Sequence, residues 1–223
     1  MIKKYSSFPR RRKSRLGPGS SLGQLSPIKL VIVDFYGVMT TGSYKDTCQW
    51  IAKKYNLDYK KIYDVVYHKY FSRAAMGKIT EAQSFALSAK ELGLTETWLE
   101  LRERHLSFQK LNKSVFGICK KLQRQGIKIL LLSKNTPGQF RENLARFKIR
   151  KHFKNIINTY DLRLPKSSIK TIRYVLNRFR VRPQEVIMID DQTFNLVEPK
   201  KLGVKTILYK HFETLRNKLL YLI

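Results

Sequence analysis

Residues 28–34 read IKLVIVD, an unbroken apolar run that ends in a carboxylate. A strand with one wet face alternates apolar and polar side chains. A run that is apolar on both sides of the backbone belongs to a strand covered on both faces, as in parallel sheets. Four further segments repeat the pattern: IKILLLS (127–133), NIINT (155–159), EVIMID (185–190) and VKTILY (204–209). Helical patterns separate them at 114–125, 138–147, 167–179 and 194–202. Strand and helix in alternation predict a Rossmann-like α/β fold, an open parallel sheet flanked by helices on both faces.

Residues 46–109 break this rhythm and hold no convincing strand. Their periodicity predicts four amphipathic helices, at 46–55, 59–71, 80–92 and 96–109, with Asn56, Gly77 and Gly93 at the joints. Thr80 with Gln83 has the spacing of a capping box. The expected organisation is a basic arm (1–27), a core in two pieces (28–45 and 110–223) and a helical cap (46–109). A module inserted after the first strand sits over that strand's carboxyl end, where open α/β sheets bind ligands.

The chain has 223 residues, with 45 Lys+Arg against 16 Asp+Glu, a net charge of +29 and a pI near 10.3. A hydrophobic content of 43% is enough for a sizeable core and excludes wholesale disorder. No run approaches the ~18 apolar residues of a transmembrane helix, so no membrane role is expected. Cys48 and Cys119 stand in no metal-ligand or redox spacing. This predicts a reducing, cytoplasmic setting.

No acid precedes Asp34, and the first twenty residues carry Lys3, Lys4, Arg10, Arg11, Arg12, Lys13 and Arg15 among Ser, Pro and Gly. Such a segment reads as a solvated arm, with an organellar transit peptide as the alternative. Without those seven charges the rest of the chain still carries +22. The remaining bases, among them Arg141, Arg146, Lys170, Arg173 and Arg178, fall on predicted helices, with Lys148 just beyond one. They make a solvated surface or a polyanion-binding one, so nucleic acid or the ribosome is carried as a partner class. No recognised nucleic-acid-binding motif accompanies them.

The polar residues that end the apolar strands are Asp34, Ser133, and Asp190 with Asp191. Burying carboxylates without partners costs several kcal/mol each, so a cation or hydrogen-bond donors must lie close. Three carboxylates in a parallel-sheet crevice suggest Mg2+, a hard ion that prefers oxygen ligands and substrate phosphate.

Four motifs in order, LVIVDFYGVMT, ILLLSKNTP, LPKSS and VIMIDDQTFN, resemble those of the haloacid dehalogenase-like hydrolases, and GKITEAQSFALSAKELGL resembles the helical cap of the phosphatase-like subgroup. The resemblance covers about residues 28–210. It implies a Mg2+-dependent phosphatase for a small phosphorylated substrate, with Asp34 as the nucleophile that forms an aspartyl-phosphate. Ser133 and Lys166 would bind and neutralise the phosphoryl oxygens. Asp34, the main-chain carbonyl of Tyr36, Asp190 and Asp191 would hold the metal. Asn135 and Asn195 are expected to shape loops, with Asn135 also placed at the substrate.

Tyr36 departs from the pattern, because the phosphatases of that family have a second Asp there as general acid and base. A phenol of ordinary pKa near 10 is poorly matched to a proton shuttle at neutral pH. Three readings follow: a slow phosphatase whose acid comes from elsewhere, such as Asp46; a 2-haloacid dehalogenase-like enzyme, which that branch's Asp-x-Tyr motif favours and the Asp190–Asp191 pair opposes; or an impaired fold that binds RNA or the ribosome through its basic surface. The cap aromatics Trp50, Tyr55, Tyr63, Tyr67, Tyr70, Phe71 and Phe85 are expected to be mostly core, and His68 and His105 surface or core.

Overall fold

The computed structural model describes residues 27–223, so the predicted arm lies outside the described residues except for Pro27. The chain runs β1 (Leu30–Asp34), β2 (Thr40–Thr41), α1 (Tyr44–Tyr55) and α2 (Tyr59–Tyr63), which continues through a π-helical stretch (Asp64–Phe71) into α3 (Ser72–Ala75). It goes on through α4 (Glu81–Leu92), α5 (Trp98–Phe108), β3 (Lys110–Leu111), α6 (Lys113–Arg124), β4 (Lys128–Ser133), α7 (Pro137–Arg146), β5 (Asn155–Asn158) and α8 (Thr159–Leu162). The last elements are α9 (Ile169–Phe179), β6 (Val186–Asp190), α10 (Phe194–Lys201), β7 (Lys205–Leu208) and α11 (Phe212–Leu222).

Five strands form one parallel sheet in the order β5-β4-β1-β6-β7. Successive side chains of a strand point to opposite faces, so each apolar run feeds two cores. Val31, Val33, Ile129, Leu131, Ile187 and Ile189 enter one cluster with α6, α7 and α11 residues; Leu30, Ile32, Leu130, Leu132, Val186 and Met188 enter the other with α9 and α10 residues. Burying each such side chain contributes about 1.5–3 kcal/mol. The doubly apolar sequence of the strands and the two-sided helical cover are thus one fact.

The cap helices close a third cluster of their own around Cys48, Ile51, Ile62, Phe71, Phe85 and Leu101. Thr80 and Gln83 form the capping box at α4, and Ser43 with Asp46 and Thr97 with Glu100 form two more, at α1 and α5. Asp46 is thereby committed: its Oδ2 accepts from Ser43 N at 2.7 Å. Nothing brings it into the crevice, so the substitute-acid role considered for it is withdrawn.

Four features were not predicted, among them the short helix α8, which takes Thr159 from the end of the expected strand. β2 and β3 pair antiparallel, a two-residue ribbon too short to show alternation, and they join the ends of the cap to the core. Gly42 (φ +80°) permits this closure, since a Cβ there would lie 2.1 Å from the carbonyl oxygen of Phe108. The helix expected over 59–71 widens into π turns at Asp64. α11 covers the sheet face beside α6, burying Leu215 and Leu219. Among the described residues no helix is long and apolar enough to cross a membrane.

Candidate active site

With β1 central and β4 and β6 on either side, all parallel, the carboxyl ends of three strands lie side by side. Asp34, Ser133 and Asp190 are the last residues of those strands. Lys166 arrives from the loop that precedes α9, and Asp191 follows Asp190 into the β6–α10 loop. All the predicted site residues except Tyr36 and Asp191 are buried by more than nine-tenths.

Lys166 is 2% exposed and places its Nζ 2.5 Å from Asp34 Oδ1 and 2.6 Å from Asp190 Oδ2. Burial opposes its charge, but Asp190 and Asp34 together raise its pKa. Burial, with Asp190 adding, pushes Asp34 well above the usual carboxylate range against the pull of Lys166. Asp34 Oδ1 also accepts from its neighbour Phe35 N at 2.7 Å. Asp190 Oδ1 accepts from Gln192 N (2.9 Å) and Asn195 Nδ2 (3.0 Å), so Asn195 orients a carboxylate as a loop-shaping residue would.

Asp191 Oδ2 pairs with Lys45 Nζ at 3.2 Å, and its Oδ1 is buried with no hydrogen-bond partner. Burial raises its pKa too, with Lys45 acting against it. The loop after Asp34 runs directly against this carboxylate. Gly37 has φ +84°, and a Cβ there would come within 2.7 Å of Asp191 Cγ. Oxygens of Asp34, Asp190 and Asp191 lie within 4.8 Å of one another. Such an all-oxygen set, with an orphaned buried oxygen and raised carboxylates, fits a hard divalent cation such as Mg2+.

Ser133 is fully buried and its Oγ has no partner among the described residues, although a buried hydroxyl left unbonded costs about 1–3 kcal/mol. Asn135 is held rather than free: its N–H donates to Asn158 Oδ1 (3.2 Å), its carbonyl accepts from Asn158 Nδ2 (3.0 Å) and its Oδ1 accepts from Thr136 N (2.6 Å). It still lines the cavity.

Tyr36 is partly buried and lines the same cavity as Asp34. Its hydroxyl accepts from Asn143 Nδ2 at 3.0 Å, its ring meets Phe35 edge-on, and desolvation pushes its pKa up from 10. Asn143 in turn donates to Gln109 Oε1 (2.5 Å), Gln109 Nε2 meets His105 Nε2 (2.8 Å), and His105 Nδ1 meets Thr47 Oγ1 (2.8 Å). This buried polar chain runs from the catalytic loop into the cap. Burial, with the charge of Arg102 adding, lowers the His105 pKa to about 3, so its imidazole is neutral at working pH.

The cavity between core and cap is narrow, about 40 Å³, room for only a few waters. Asp34, Lys166, Asp191 and Gln192 line it from the core, and Tyr44, Tyr63, Tyr67 and Phe71 from the cap. Most cap aromatics do pack as core, but Tyr63, Tyr67 and Phe71 also wall the site. The cap is latched in this closed position. Glu81 Oε2 accepts from Thr136 Oγ1 (2.6 Å) and Gln139 N (3.2 Å) at the start of α7, where the helix dipole favours an anion. Arg102 bonds both Glu81 and Glu142. Sequence reasoning missed Glu81, Asn143, Gln109 and Lys134, although Lys134, flanked by Ser133 and Asn135, and Glu81, inside the cap stretch GKITEAQSFALSAKELGL, both lay within quoted motifs.

Solved structures share this architecture. A HAD family enzyme from Bacteroides thetaiotaomicron, in complex with magnesium and inorganic phosphate, is 19% identical over 82% of this chain and 94% of its own, with a TM-score of 0.66. A predicted HAD-like family hydrolase from Porphyromonas gingivalis is 18% identical over 86% and 98%, also at 0.66. L-2-haloacid dehalogenase from Xanthobacter autotrophicus, with chloropropionic acid covalently bound, is 19% identical over 87% and 83%, at 0.60. At these identities the likeness is one of fold. The family model for haloacid dehalogenase-like hydrolases matches residues 28–196, most of the chain and every motif above, and the protein belongs to that family of enzymes.

Proposed function

We propose that the protein is a Mg2+-dependent phosphatase acting on a small phosphorylated metabolite through an aspartyl-phosphate on Asp34. The observation that carries this reading is the convergence of Asp34, Asp190 and Asp191, with Asp191 Oδ1 lacking a hydrogen-bond partner. A metal-free hydrolase has no use for that donor set. Asp34, Asp190 and Asp191 would hold Mg2+, with the Tyr36 carbonyl as a further oxygen. The ion would supply positive charge at the phosphoryl oxygens.

A carboxylate oxygen of Asp34 attacks phosphorus, the P–O bond to the leaving alkoxide breaks, and water then cleaves the acyl phosphate to restore Asp34 and release phosphate. Ser133 Oγ, orphaned in the resting site, donates to a phosphoryl oxygen, and Lys166 offsets the negative charge shared with Asp34. Tyr36 holds the loop and gives no proton, so the leaving oxygen departs unassisted and good leaving groups are preferred. The net charge of +29 would favour the approach of anionic substrates. Cys48 and Cys119 are free, buried and in separate clusters, which supports a reducing, cytoplasmic setting.

The test is phosphate release from a phosphomonoester panel. Release should require Mg2+ and fall at least ~10³-fold in Asp34→Asn, the scale expected when a covalent nucleophile is lost. Release that survives EDTA or Asp34→Asn overturns the reading. The ion pair between Lys166 and Asp34, with Tyr36 in the loop, favours a second reading, displacement of halide from a 2-haloacid. Chloride release from 2-chloropropionate in EDTA would establish that one instead.

A further inference from the structure

Three lysines line the cavity, and two of them are neutralised there. Lys166 lies between Asp34 and Asp190, and Lys45 pairs with Asp191. The third, Lys134, meets no carboxylate within ion-pair distance among the described residues. Its Nζ donates to Ser72 Oγ at 3.0 Å and sits 4.9 Å from the Tyr67 ring centroid and 5.5 Å from that of Phe71. A lysine stem ordinarily lets its ammonium reach water. This one is held among rings on the cap side, where burial, with the nearby charge of Lys166, lowers its pKa to about 8.

Lys134 also stands at a passage. Together with Lys166 and Asn195 it lines a second cavity of about 210 Å³ on the far side, bounded by Ser72, Met76 and the half-exposed Phe194. A molecule with its reacting group over Asp34 that reaches into that space runs beside Lys134, Lys166 and Asn195, the three residues both cavities share. Among the described residues two aromatic faces and one neutral hydroxyl are what the ammonium meets, so it lacks the anion that its two neighbours have.

We propose that Lys134 is a specificity-determining residue that receives a second anionic group of the substrate, a carboxylate or a further phosphate, placed one or two bonds beyond the group that Asp34 attacks. The inference builds on the assignment of Asp34 as the attacking residue. It makes the substrate class a phosphorylated acid rather than a phosphorylated alcohol. Tyr67 and Phe71 hold the ammonium in position, and Ser72 fixes its height in the cavity.

Non-hydrolysable probes test this on the full chain in Mg2+ by calorimetry. Phosphonoacetate carries the second anion, and ethylphosphonate replaces it with a methyl group. Wild type should bind phosphonoacetate at least ~10-fold more tightly, equivalent to about 1.4 kcal/mol. Lys134→Met should bring the two probes within about twofold while leaving ethylphosphonate affinity unchanged, which also serves as the control for folding. Lys134→Arg should keep part of the preference.

Equal binding of both probes by wild type overturns the proposal. So does the absence of binding by either, or a preference that persists in Lys134→Met. The outcome separates from the phosphatase reading: a protein inactive on every phosphomonoester that shows the Lys134-dependent preference sinks that reading and keeps Lys134 as the residue that receives a second anion, and an active enzyme without the preference keeps that reading and overturns this role.

Discussion

Replacing Lys166 with methionine removes the only cation that touches both Asp34 and Asp190 among the described residues. The volume is nearly kept, so the effect is one of charge. Breaking a buried ion pair by removing one partner costs about 3–5 kcal/mol. The geometry yields a similar figure, since two carboxylate oxygens no more than 4.8 Å apart at an effective dielectric of about 20 repel by at least roughly 3.5 kcal/mol. For a chain of this size each kcal/mol moves the melting temperature by about 2–4 °C, so Lys166→Met in EDTA should melt roughly 6–20 °C below wild type.

The loss should also depend on pH. A carboxyl group whose folded pKa is raised, as that of Asp34 is, destabilises the fold as pH climbs from the unfolded value near 3.8 through the folded one. Without Lys166 that pKa rises further, and the deficit should be larger at pH 8 than at pH 5. Saturating Mg2+ should restore about 2.7 kcal/mol at a hundredfold excess over its dissociation constant. Scanning calorimetry at the two pH values, with and without Mg2+, reads all three effects. A deficit below about 1 kcal/mol, or one equal at both pH values, would refute the idea that this ammonium holds the carboxylates together.

Tyr36→Phe should leave turnover within about threefold and lower stability by roughly 1 kcal/mol, the worth of its bond from Asn143; a rate loss above ~10² would make the phenol a participant. Tyr36→Asp should speed hydrolysis of esters with poor leaving groups far more than of good ones, read as the slope of rate against leaving-group pKa. His105, neutral in the fold and free to charge when unfolded, contributes stability that is complete above pH ~6.5 and lost as pH falls toward 3. His105→Gln should therefore flatten the acid limb of the urea midpoint between those values, and an unchanged limb would count against it.

The core was legible because one physical signal repeats: a strand buried on both faces has to be apolar throughout, and its last residue, released from the sheet, is the first that can be polar. Asp34, Ser133 and Asp190 stood out for that reason. Asp191 was read with its neighbour Asp190 at the same strand end, whereas Lys166 does not follow from periodicity, and motif resemblance located it. The latch was invisible because Glu81, Arg102 and Glu142 look like ordinary helix-surface charges, and their partners come from other parts of the chain. Asn143 and Gln109 were hidden likewise, as polar residues whose burial depends on the cap being closed. The loop acid Asp46 looked available until its capping bond to Ser43 was in view.

The π turns at Asp64–Phe71 have a geometric consequence. Tyr59, Tyr63, Tyr67 and Phe71 stack in succession, with centroids 5.8, 4.9 and 5.3 Å apart. In a regular α-helix each step of four residues overshoots a full turn by about 40°, so a column of four rings would wind off around the helix. Wider turns in the second half take back that overshoot and keep the rings in line, from the exposed Tyr59 to Phe71 beside the Lys134 ammonium. The column works as a strut that ties the solvent end of the helix to the pocket wall, so a probe on Tyr59 should report a tilt of that wall.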